Sequence, residues 1–389
     1  MRRDPLIIGA GPAGTAAAIT LARAGCRPVM IERASGPTDK VCGDFISIDT
    51  IRRAQALGVD PASLGAAPIR QVRLVHRNRV AQATLPFPAM GLSRRGFDAA
   101  LLRVAESAGA ILRGGQTVRQ LAREAPTISA STASASAPRE WIARTTDQTA
   151  FSADTVFLAT GKHDLRDLPR ARADRGAVGM KMYFALAPDA ARMLDDAIEL
   201  TLFPGGYAGM QPVEDGRTVL CIATQRQALL RHGGTWDDLL AGVAQHSRRF
   251  SALLSGARAL LARPLAVAGV PYGYQSGTPA ADGLFRLGDQ AAVIPSLTGD
   301  GMAIALHSGT SAAETWLAGG DSATYHHGLA GTLRRQMRLA GLLHHACMTG
   351  SVQAALTRTA VWFPSLLHHA ANRTRLASPT APGDQPTGA

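Results

Sequence analysis

Short apolar runs alternate with small-residue helical segments at both ends of the chain. Leu6-Ile7-Ile8 and Val29-Met30-Ile31 each have the composition of a short buried strand, and the alanine-rich residues 14–24 between them have that of a helix. Later apolar runs at residues 155–159 and 284–287 predict two more strands, and a further helix is predicted over residues 303–317. Strands and helices in this alternation predict an α/β fold.

The turn after the first predicted strand contains three glycines in the spacing G-x-G-x-x-G. They are Gly9, Gly11 and Gly14, with Pro12 and Ala13 before the third. Glycines at this spacing allow a tight turn, close approach of the backbone to a pyrophosphate, and close packing of the helix on the strand. The helix that follows directs free N–H groups and the positive end of its dipole towards the phosphates.

The second predicted strand ends at Glu32 and Arg33. A carboxylate at this position can accept hydrogen bonds from the hydroxyls of a ribose. The strand, glycine turn, helix, second strand and acid occur in the expected order. The sequence therefore predicts a bound dinucleotide.

A motif near the other end of the chain indicates which dinucleotide is bound. The predicted strand at residues 284–287 ends in Gly288-Asp289, and Pro295 and a glycine-rich helix start follow it. This order resembles FAD-dependent oxidoreductases of the para-hydroxybenzoate hydroxylase superfamily. The resemblance implies that Asp289 holds the ribityl hydroxyls of FAD and that Pro295 lies against the flavin ring. It also implies that four residues direct N–H groups at the flavin N1–C2=O locus, where a helix start stabilises negative charge: Gly299, Asp300, Gly301 and Met302.

Two further stretches are similar to the same superfamily. Residues 94–101 resemble its R-x-x-F-D-x-x-L helix start, which implies that Arg94 lies near the cofactor, although an ordinary solvated arginine fits the pattern too. Thr160-Gly161 stands where its aromatic hydroxylases have Asp-Gly. This departure weakens a direct transfer of the hydroxylase mechanism and favours the geranylgeranyl reductase and halogenase branches, with Thr160 and Gly161 still expected at the cofactor.

The segment from Lys40 to Asp44 resembles the K-x-C-G-G loop of the geranylgeranyl reductase branch. The resemblance implies that Lys40, Cys42 and Gly43 lie beside the flavin. Cys42 can then be a proton donor or modulator of the flavin, or a small residue chosen for packing. Asp44 departs from the motif, and we treat it as a candidate acid or base.

The segment from Phe203 to Pro212 resembles the Y-x-W-x-F-P strand that lines the lipid cavity of geranylgeranyl reductases. Tyr207 and Pro212 match the motif, whereas Gly209 and Gln211 replace its two large aromatic residues. Losing these apolar faces predicts a pocket that is roomier and more polar than a lipid tunnel. Tyr207 and Gln211 therefore join Cys42 and Asp44 as candidate catalytic residues.

Composition and charge restrict the partners of the protein. The net charge is +12, but the arginines are scattered and only 5% of residues are aromatic, so nucleic acid is not an expected partner. No run of eighteen apolar residues exists, and the four cysteines lack the spacing of a metal site, so we expect a cytoplasmic protein without a transmembrane segment or a metal. A substrate tethered to an acidic carrier protein stays open. The basic residues 333–375 could rest on a membrane surface, but a packed C-terminal helix pair is preferred.

The motifs predict an interleaved organisation. Residues 1–60, 93–165 and 281–330 form a Rossmann-like FAD-binding domain, and residues 61–92 and 166–280 form a mixed-sheet substrate domain. C-terminal helices follow over residues 331–375, and a disordered tail over 376–389, where apolar residues are scarce. Residues 126–138, rich in serine and alanine, are predicted to form a loop.

The predicted function is that of an FAD-dependent oxidoreductase acting on a small molecule. The preferred reaction is NAD(P)H-dependent monooxygenation of a phenolic, polyketide-like or quinoid secondary metabolite. Two alternatives remain open: reduction or dehydrogenation of a carbon–carbon bond, as in geranylgeranyl reductases, and a non-redox cyclisation that requires FAD.

Overall fold

A computed structural model of the protein describes residues 3–124, 140–170, 177–276 and 282–376. The predicted loop at residues 126–138 and the predicted tail after residue 376 lie outside the described residues. The strands, in chain order, are β1 (Leu6–Ile8), β2 (Val29–Glu32), β3 (Phe45–Ile46), β4 (Ala67–His76), β5 (Arg79–Gly91), β6 (Ile111–Gly114), β7 (Val118–Glu124), β8 (Glu140–Thr145), β9 (Ala150–Ala153), β10 (Val156–Leu158), β11 (Ala177–Ala185), β12 (Ala197–Phe203), β13 (Gly206–Pro212), β14 (Thr218–Gln225), β15 (Arg258–Ala259), β16 (Leu265–Ala268) and β17 (Leu284–Arg286).

The helices surround these strands. In chain order they are α1 (Pro12–Arg23), α2 (Ile48–Ala56), α3 (Arg94–Ser107), α4 (Pro188–Leu194), α5 (Arg226–Arg231), α6 (Trp236–His246), α7 (Arg248–Leu254), α8 (Gly301–Leu317), α9 (Ser322–Met348), α10 (Gly350–Trp362) and α11 (Ser365–Arg373). None of them is long and apolar enough to cross a membrane.

The first sheet is parallel and has five strands in the order β17-β10-β1-β2-β6. Its strands are short and apolar because both faces are covered. The carboxyl ends of parallel strands lie at one edge of a sheet, which brings Gly9, Glu32, Thr160 and Gly288 to the same edge. The predicted Rossmann-like unit is thereby confirmed.

The second sheet is mixed and has nine strands, with β4 and β12 paired in parallel and its other pairs antiparallel. Side chains alternate between its two faces. On β13, Ala208 and Met210 pack in the core with α6 and α7, whereas Tyr207, Gly209 and Gln211 face a cavity. The predicted mixed-sheet unit is confirmed. A third sheet, β7-β8-β9, is antiparallel.

Two details differ from the expected organisation. The segment from Phe203 to Pro212, read as one strand, is a hairpin: β12 ends at Phe203, and Gly205 has a φ of +82° in the turn before β13. Strand β3 lies within the predicted FAD-binding segment 1–60 but pairs with β5 of the second sheet. The predicted domain boundaries stay a prediction.

Helices α1 and α8 pack directly against each other at backbone distance beside the parallel sheet. A Cβ added to Gly309 of α8 would lie 2.1 Å from the Ala13 carbonyl oxygen of α1. The C-terminal helices are held to this unit by Arg375, which pairs with the buried carboxylate of Asp300 just before α8. Helices α10 and α11 pack on β4 and β5 of the second sheet.

The substitution Gly309→Ala tests the close approach of α1 and α8. We expect the free energy of unfolding to fall by about 1–3 kcal/mol, because the new methyl group must push the two helices apart. Gly331→Ala in α9 is the matched control, since a Cβ at Gly331 meets no atom within 4 Å and alanine favours a helix by about 1 kcal/mol. Urea unfolding measures both variants. Equal stabilities would contradict the proposed packing.

Candidate active site

One cavity of about 1200 Å³ lies between the first sheet, the second sheet and the C-terminal helices. Its first part, which we call the cradle, is lined by the motif residues of the first sheet: Gly9, Gly11, Pro12, Ala13, Glu32, Arg33, Arg94, Thr160, Gly161, Gly288 and Asp289. Its other part, which we call the apolar lobe, is lined by side chains of β4, β5, β12, α10 and α11: Val72, Leu74, Leu85, Phe87, Ile198, Leu200, Leu356, Leu366 and Leu367.

The three glycines of the cradle have the separate tasks that their spacing predicts. Gly9 has a φ of +104°, and an added Cβ would lie 2.4 Å from the Ala159 carbonyl oxygen. A Cβ on Gly14 would lie 1.9 Å from the Gly9 oxygen, so Gly14 serves helix packing and does not line the cavity. A Cβ on Gly11 meets only Arg94 Nη2, at 3.7 Å, and would point into open space.

The carboxylate of Glu32 lies at the carboxyl end of β2, where it accepts hydrogen bonds from the backbone N–H of Ala10 at 2.9 Å and of Ala34 at 3.2 Å. These bonds fix its orientation at the cavity wall. Arg33 also lines the cavity, and its Nη2 lies 2.9 Å from His163 Nε2. The acid is therefore held where a ribose hydroxyl can bind it.

Arg94 lies in the cavity wall at the start of α3. Its guanidinium donates two hydrogen bonds of 2.8 Å to the carboxylate of Asp98, one turn later on the helix. The side chain is largely buried, unlike a solvated surface arginine. A bidentate pair of this kind fixes the guanidinium plane beside Gly11.

Asp289 lines the cavity, and a lysine that sequence analysis missed accompanies it. Lys162 Nζ lies 3.4 Å from Asp289 Oδ2, and this carboxylate raises the pKa of the lysine. Arg170 and Gln290 hold the surrounding turn through the carbonyl oxygens of Lys162 and Gly161, both at 2.9 Å. The only sequence signal for Lys162 was its position directly after Thr160-Gly161.

The start of α8 forms the next part of the wall, with Gly299, Gly301 and Met302 lining the cavity. Asp300 does not line it: its carboxylate is fully buried and bonded to Arg375 and to Gln336 Nε2. Burial raises the pKa of Asp300 to about 6.

Pro295, expected against the flavin ring, is also absent from the wall. The residue itself is buried, and its neighbours Ile294 and Ser296 line the cavity instead.

Only part of the Lys40–Asp44 segment lines the cavity. Lys40, Cys42 and Gly43 line the cavity, and Cys42 Sγ accepts the backbone N–H of Asp44 at 3.4 Å. Asp44, considered as an acid or base for the substrate, is fully buried and does not line the cavity. Its Oδ2 accepts hydrogen bonds from Lys181 Nζ at 2.7 Å and from the Tyr183 hydroxyl at 2.6 Å, both on β11.

Two features of Asp44 explain its position behind the cavity wall: its backbone conformation and its buried ion pair. Its φ is +57°, a conformation that suits the glycine of the similar motif better than an aspartate. Burial raises the pKa of this carboxyl, while the charge of Lys181, itself fully buried, opposes the shift. A buried carboxylate is tolerated when it is paired and hydrogen-bonded. Asp44 therefore anchors the Lys40–Asp44 segment to β11 of the second sheet.

Two tyrosines and a serine form a hydroxyl cluster in the cavity wall. The Ser296 hydroxyl lies 2.6 Å from the Tyr207 hydroxyl and 2.8 Å from the Tyr272 hydroxyl. Burial raises the pKa of Tyr207 well above its ordinary value and that of Tyr272 to about 12. Both phenols therefore keep their protons at neutral pH. Sequence analysis identified Tyr207 and missed its two partners, which belong to no motif.

Gln211 is the most unusual polar residue of the cavity. Its side chain is buried, lines the cavity, and has neither amide atom hydrogen-bonded among the described residues. An unsatisfied buried polar group costs about 1–3 kcal/mol. An orphaned amide that faces a cavity is therefore well placed to bind a ligand with both a donor and an acceptor.

The lobe adds apolar walls that the expectation of a roomier, more polar pocket did not include. Gly209 does leave space, since an added Cβ would be no closer than 3.4 Å to Leu200 Cδ2. However, Leu200 and Leu74 lie on the same row of the sheet and face the lobe. The two missing aromatic residues are thus replaced by aliphatic walls from other elements.

The residues present fit FAD. The glycine turn leaves backbone-accessible space for a pyrophosphate, Glu32 stands at the ribose position, and the N-termini of α1 and α8 both line the cavity. These features occur together at one edge of the parallel sheet.

Comparisons with known proteins agree with this fit. A family model described as "FAD binding domain" matches residues 2–159, which include the glycine turn, Glu32 and Arg94. FAD is therefore the dinucleotide of this site. The chain is 26% identical over 334 residues to a menaquinone reductase of Mycolicibacterium smegmatis, covering 82% of this chain and 77% of the relative.

A second relative and one solved structure extend the comparison. Digeranylgeranylglycerophospholipid reductase 2 of Methanopyrus kandleri is 27% identical over 323 residues, covering 81% of this chain and 76% of the relative. The crystal structure of pqsL, a probable FAD-dependent monooxygenase from Pseudomonas aeruginosa, superposes with a TM-score of 0.71 at 17% identity. That alignment covers 91% of this chain and 99% of the other, so the two share their fold.

The substitution Gly11→Val tests the cradle. We expect a folded protein without bound flavin, because the new side chain projects into the space for the pyrophosphate and meets no tightly packed atom. Absorbance of the purified protein gives its flavin content, and circular dichroism reports its fold. Gly328→Val on the exposed surface of α9 is the control and should keep its flavin. Full flavin content in Gly11→Val would rule out this pyrophosphate site.

The substitution Lys181→Met tests the buried ion pair. It leaves the Asp44 charge without its cation, so we expect a loss of about 3–5 kcal/mol in the free energy of unfolding, together with weaker FAD binding. The double variant Asp44→Gly/Lys181→Met should recover most of this loss, because no charge stays buried and glycine accepts the positive φ.

An exposed ion pair supplies the control for this experiment. Arg70→Met removes a surface partner of Asp196 and should cost less than about 1 kcal/mol. Urea unfolding and FAD titration measure all three variants. If Lys181→Met were as mild as Arg70→Met, the pair would not anchor the Lys40–Asp44 segment to β11.

Proposed function

We propose that this chain, an FAD-dependent oxidoreductase, reduces a carbon–carbon double bond in an amphiphilic metabolite with a polar head group and an apolar chain. The observation that carries this proposal is the continuity of the cradle and the apolar lobe in one cavity. A substrate that fills the lobe with an apolar chain can place its head group beside the flavin.

The composition of the lobe supports an apolar chain. Leu74 and Leu200 form its floor on the second sheet, and Leu356 and Leu367 of the C-terminal helices form its roof. Each aliphatic side chain covered by a ligand contributes to binding through the area removed from water, at roughly 25 cal/mol per Å². The two curated relatives that span most of the chain are named as reductases, and their named substrates are lipids.

The polar groups of the cavity supply contacts for the head group. The Gln211 amide offers both a donor and an acceptor, which matches a carbonyl or hydroxyl group on the substrate. Its position on β13, two residues beyond Gly209, puts it on the same face of the sheet as Tyr207. The head group would therefore lie between the amide and the hydroxyl cluster.

Reduction of a double bond adds two electrons and two protons. Bound FAD would supply the electrons, and we propose NAD(P)H as their source. We assign proton delivery to the Tyr207 hydroxyl, because it lines the cavity on the same face as Gln211 and is hydrogen-bonded to Ser296. Ser296 and the half-buried Tyr272 continue the hydroxyl chain and can return a proton to Tyr207.

Oxygenation of the head group is the second candidate. Gly209 and Gln211 leave polar, open space where the similar reductases have two aromatic residues, and the orphaned amide could orient a phenolic or quinoid ring. The walls of the lobe then serve only to hold the remainder of the substrate. Oxygen consumption separates this reaction from reduction.

An anaerobic reoxidation experiment tests the proposal. Chemically reduced protein is mixed without oxygen with a quinone that bears a polyprenyl chain. We expect the absorbance of oxidised flavin to return and the product to keep two added hydrogens by mass after its ring has been reoxidised to the quinone. Loss of both hydrogens on ring reoxidation would instead establish reduction of the quinone ring. If the flavin is reoxidised only after oxygen is admitted and the product gains one oxygen atom, the reaction is oxygenation instead. A product isomeric with the substrate would establish cyclisation.

The same assay identifies the proton donor. Tyr207→Phe should bind FAD normally and slow product formation by roughly a hundredfold or more. Tyr274→Phe removes a half-buried hydroxyl outside the cavity wall and should leave the rate unchanged. A normal rate in Tyr207→Phe would transfer this role to another group, of which Cys42 is the next in the wall.

A further inference from the structure

We propose that α10 and α11 form a docking surface for an anionic lipid bilayer, located at the opening of the apolar lobe. The turn between the two helices exposes four large apolar side chains, which we call the apolar tip. Val361 is 43% exposed, Trp362 76%, Phe363 61% and Leu366 49%. These residues lie close together in sequence, around Pro364.

The charge of the surrounding helices indicates the chemistry of the partner. Residues 322–376 contain six arginines and no aspartate or glutamate. Arg375 is paired with Asp300, whereas the other five are exposed and form no ion pair with a described residue. Those five are Arg334, Arg335, Arg338, Arg358 and Arg373. Exposed arginines in the same C-terminal segment as exposed aromatic and aliphatic side chains suit the headgroup region of an anionic membrane.

The apolar tip is continuous with the cavity. Leu366 is half exposed to solvent and also lines the cavity, and its neighbour Leu367 lines the lobe. On α10, Leu356, Thr359 and Ala360 continue the wall on the same side. A bilayer in contact with the tip would therefore lie next to the lobe at Leu366.

The positive charge of this surface also distinguishes a bilayer from the other candidate partners. A second copy of this chain docked through the same surface would bring arginines against arginines, which disfavours association. An acidic protein would pair with the arginines but leaves the exposure of Trp362 and Phe363 without a role. An anionic bilayer accounts for both, since tryptophan and phenylalanine bury their rings at the interface while arginine contacts the headgroups.

Vesicle sedimentation with the full-length, FAD-loaded protein tests the surface. Vesicles of phosphatidylcholine are compared with vesicles that also contain phosphatidylglycerol. We expect binding to the anionic vesicles, at least tenfold weaker binding to the neutral ones, and further weakening at high salt. The double variant Trp362→Ser/Phe363→Ser should bind the anionic vesicles at least tenfold more weakly while keeping its FAD content.

Two further variants keep the test specific. Leu230→Ser on α5 removes an apolar side chain that is 61% exposed and distant in sequence from the tip, and it should bind like the unmodified protein. Arg358→Glu/Arg373→Glu should lose the preference for anionic vesicles. The proposal would be overturned by absent vesicle binding, by equal binding to both vesicle types, by an unchanged affinity of the tip variant, or by a tip that mediates only self-association or binding to an acidic carrier protein.

Discussion

The buried pair of Asp44 and Lys181 anchors the loop that leads from the first sheet into the second against strand β11. Asp44 belongs to the loop that also presents Cys42 and Gly43 to the cavity, and Lys181 belongs to a strand of the second sheet. Such a pair adds little net stability, because its attraction must first offset the desolvation of both charges. Its geometry is nevertheless demanding, since one carboxylate oxygen receives both the ammonium and the Tyr183 hydroxyl. The position of Cys42 and Gly43 in the cavity wall therefore depends on this contact.

The cavity combines two environments that act on different parts of a ligand. Backbone amides, helix N-termini and Glu32 form its charged edge, whereas leucines from both the sheet and the C-terminal helices form the lobe. Gln211 and the hydroxyl cluster stand between the two. This gradient favours a ligand that is itself polar at one end and apolar at the other.

The cradle could be predicted from the sequence because each of its parts is local. Gly9, Gly11 and Gly14 lie within six positions of one another, so their spacing alone predicts the turn. The sites of Asp44, Asp300 and Pro295 could not be predicted, because contacts from distant segments, such as Lys181 and Arg375, decide which side chains reach the cavity. The aliphatic walls of the lobe could not be predicted for the same reason, because they come from elements without a motif.

The pairing of Arg375 with Asp300 has a consequence for biosynthesis. The parallel sheet needs β17, helix α1 needs α8 against its backbone, and the start of α8 is fixed by a residue more than seventy positions later. Contacts of such large sequence separation form late, after most of the chain has left the ribosome. The first residues of the chain can therefore fold early, but the FAD site is complete only when nearly the whole polypeptide has been synthesised. Truncated chains would emerge as colourless proteins even when their glycine motif is intact.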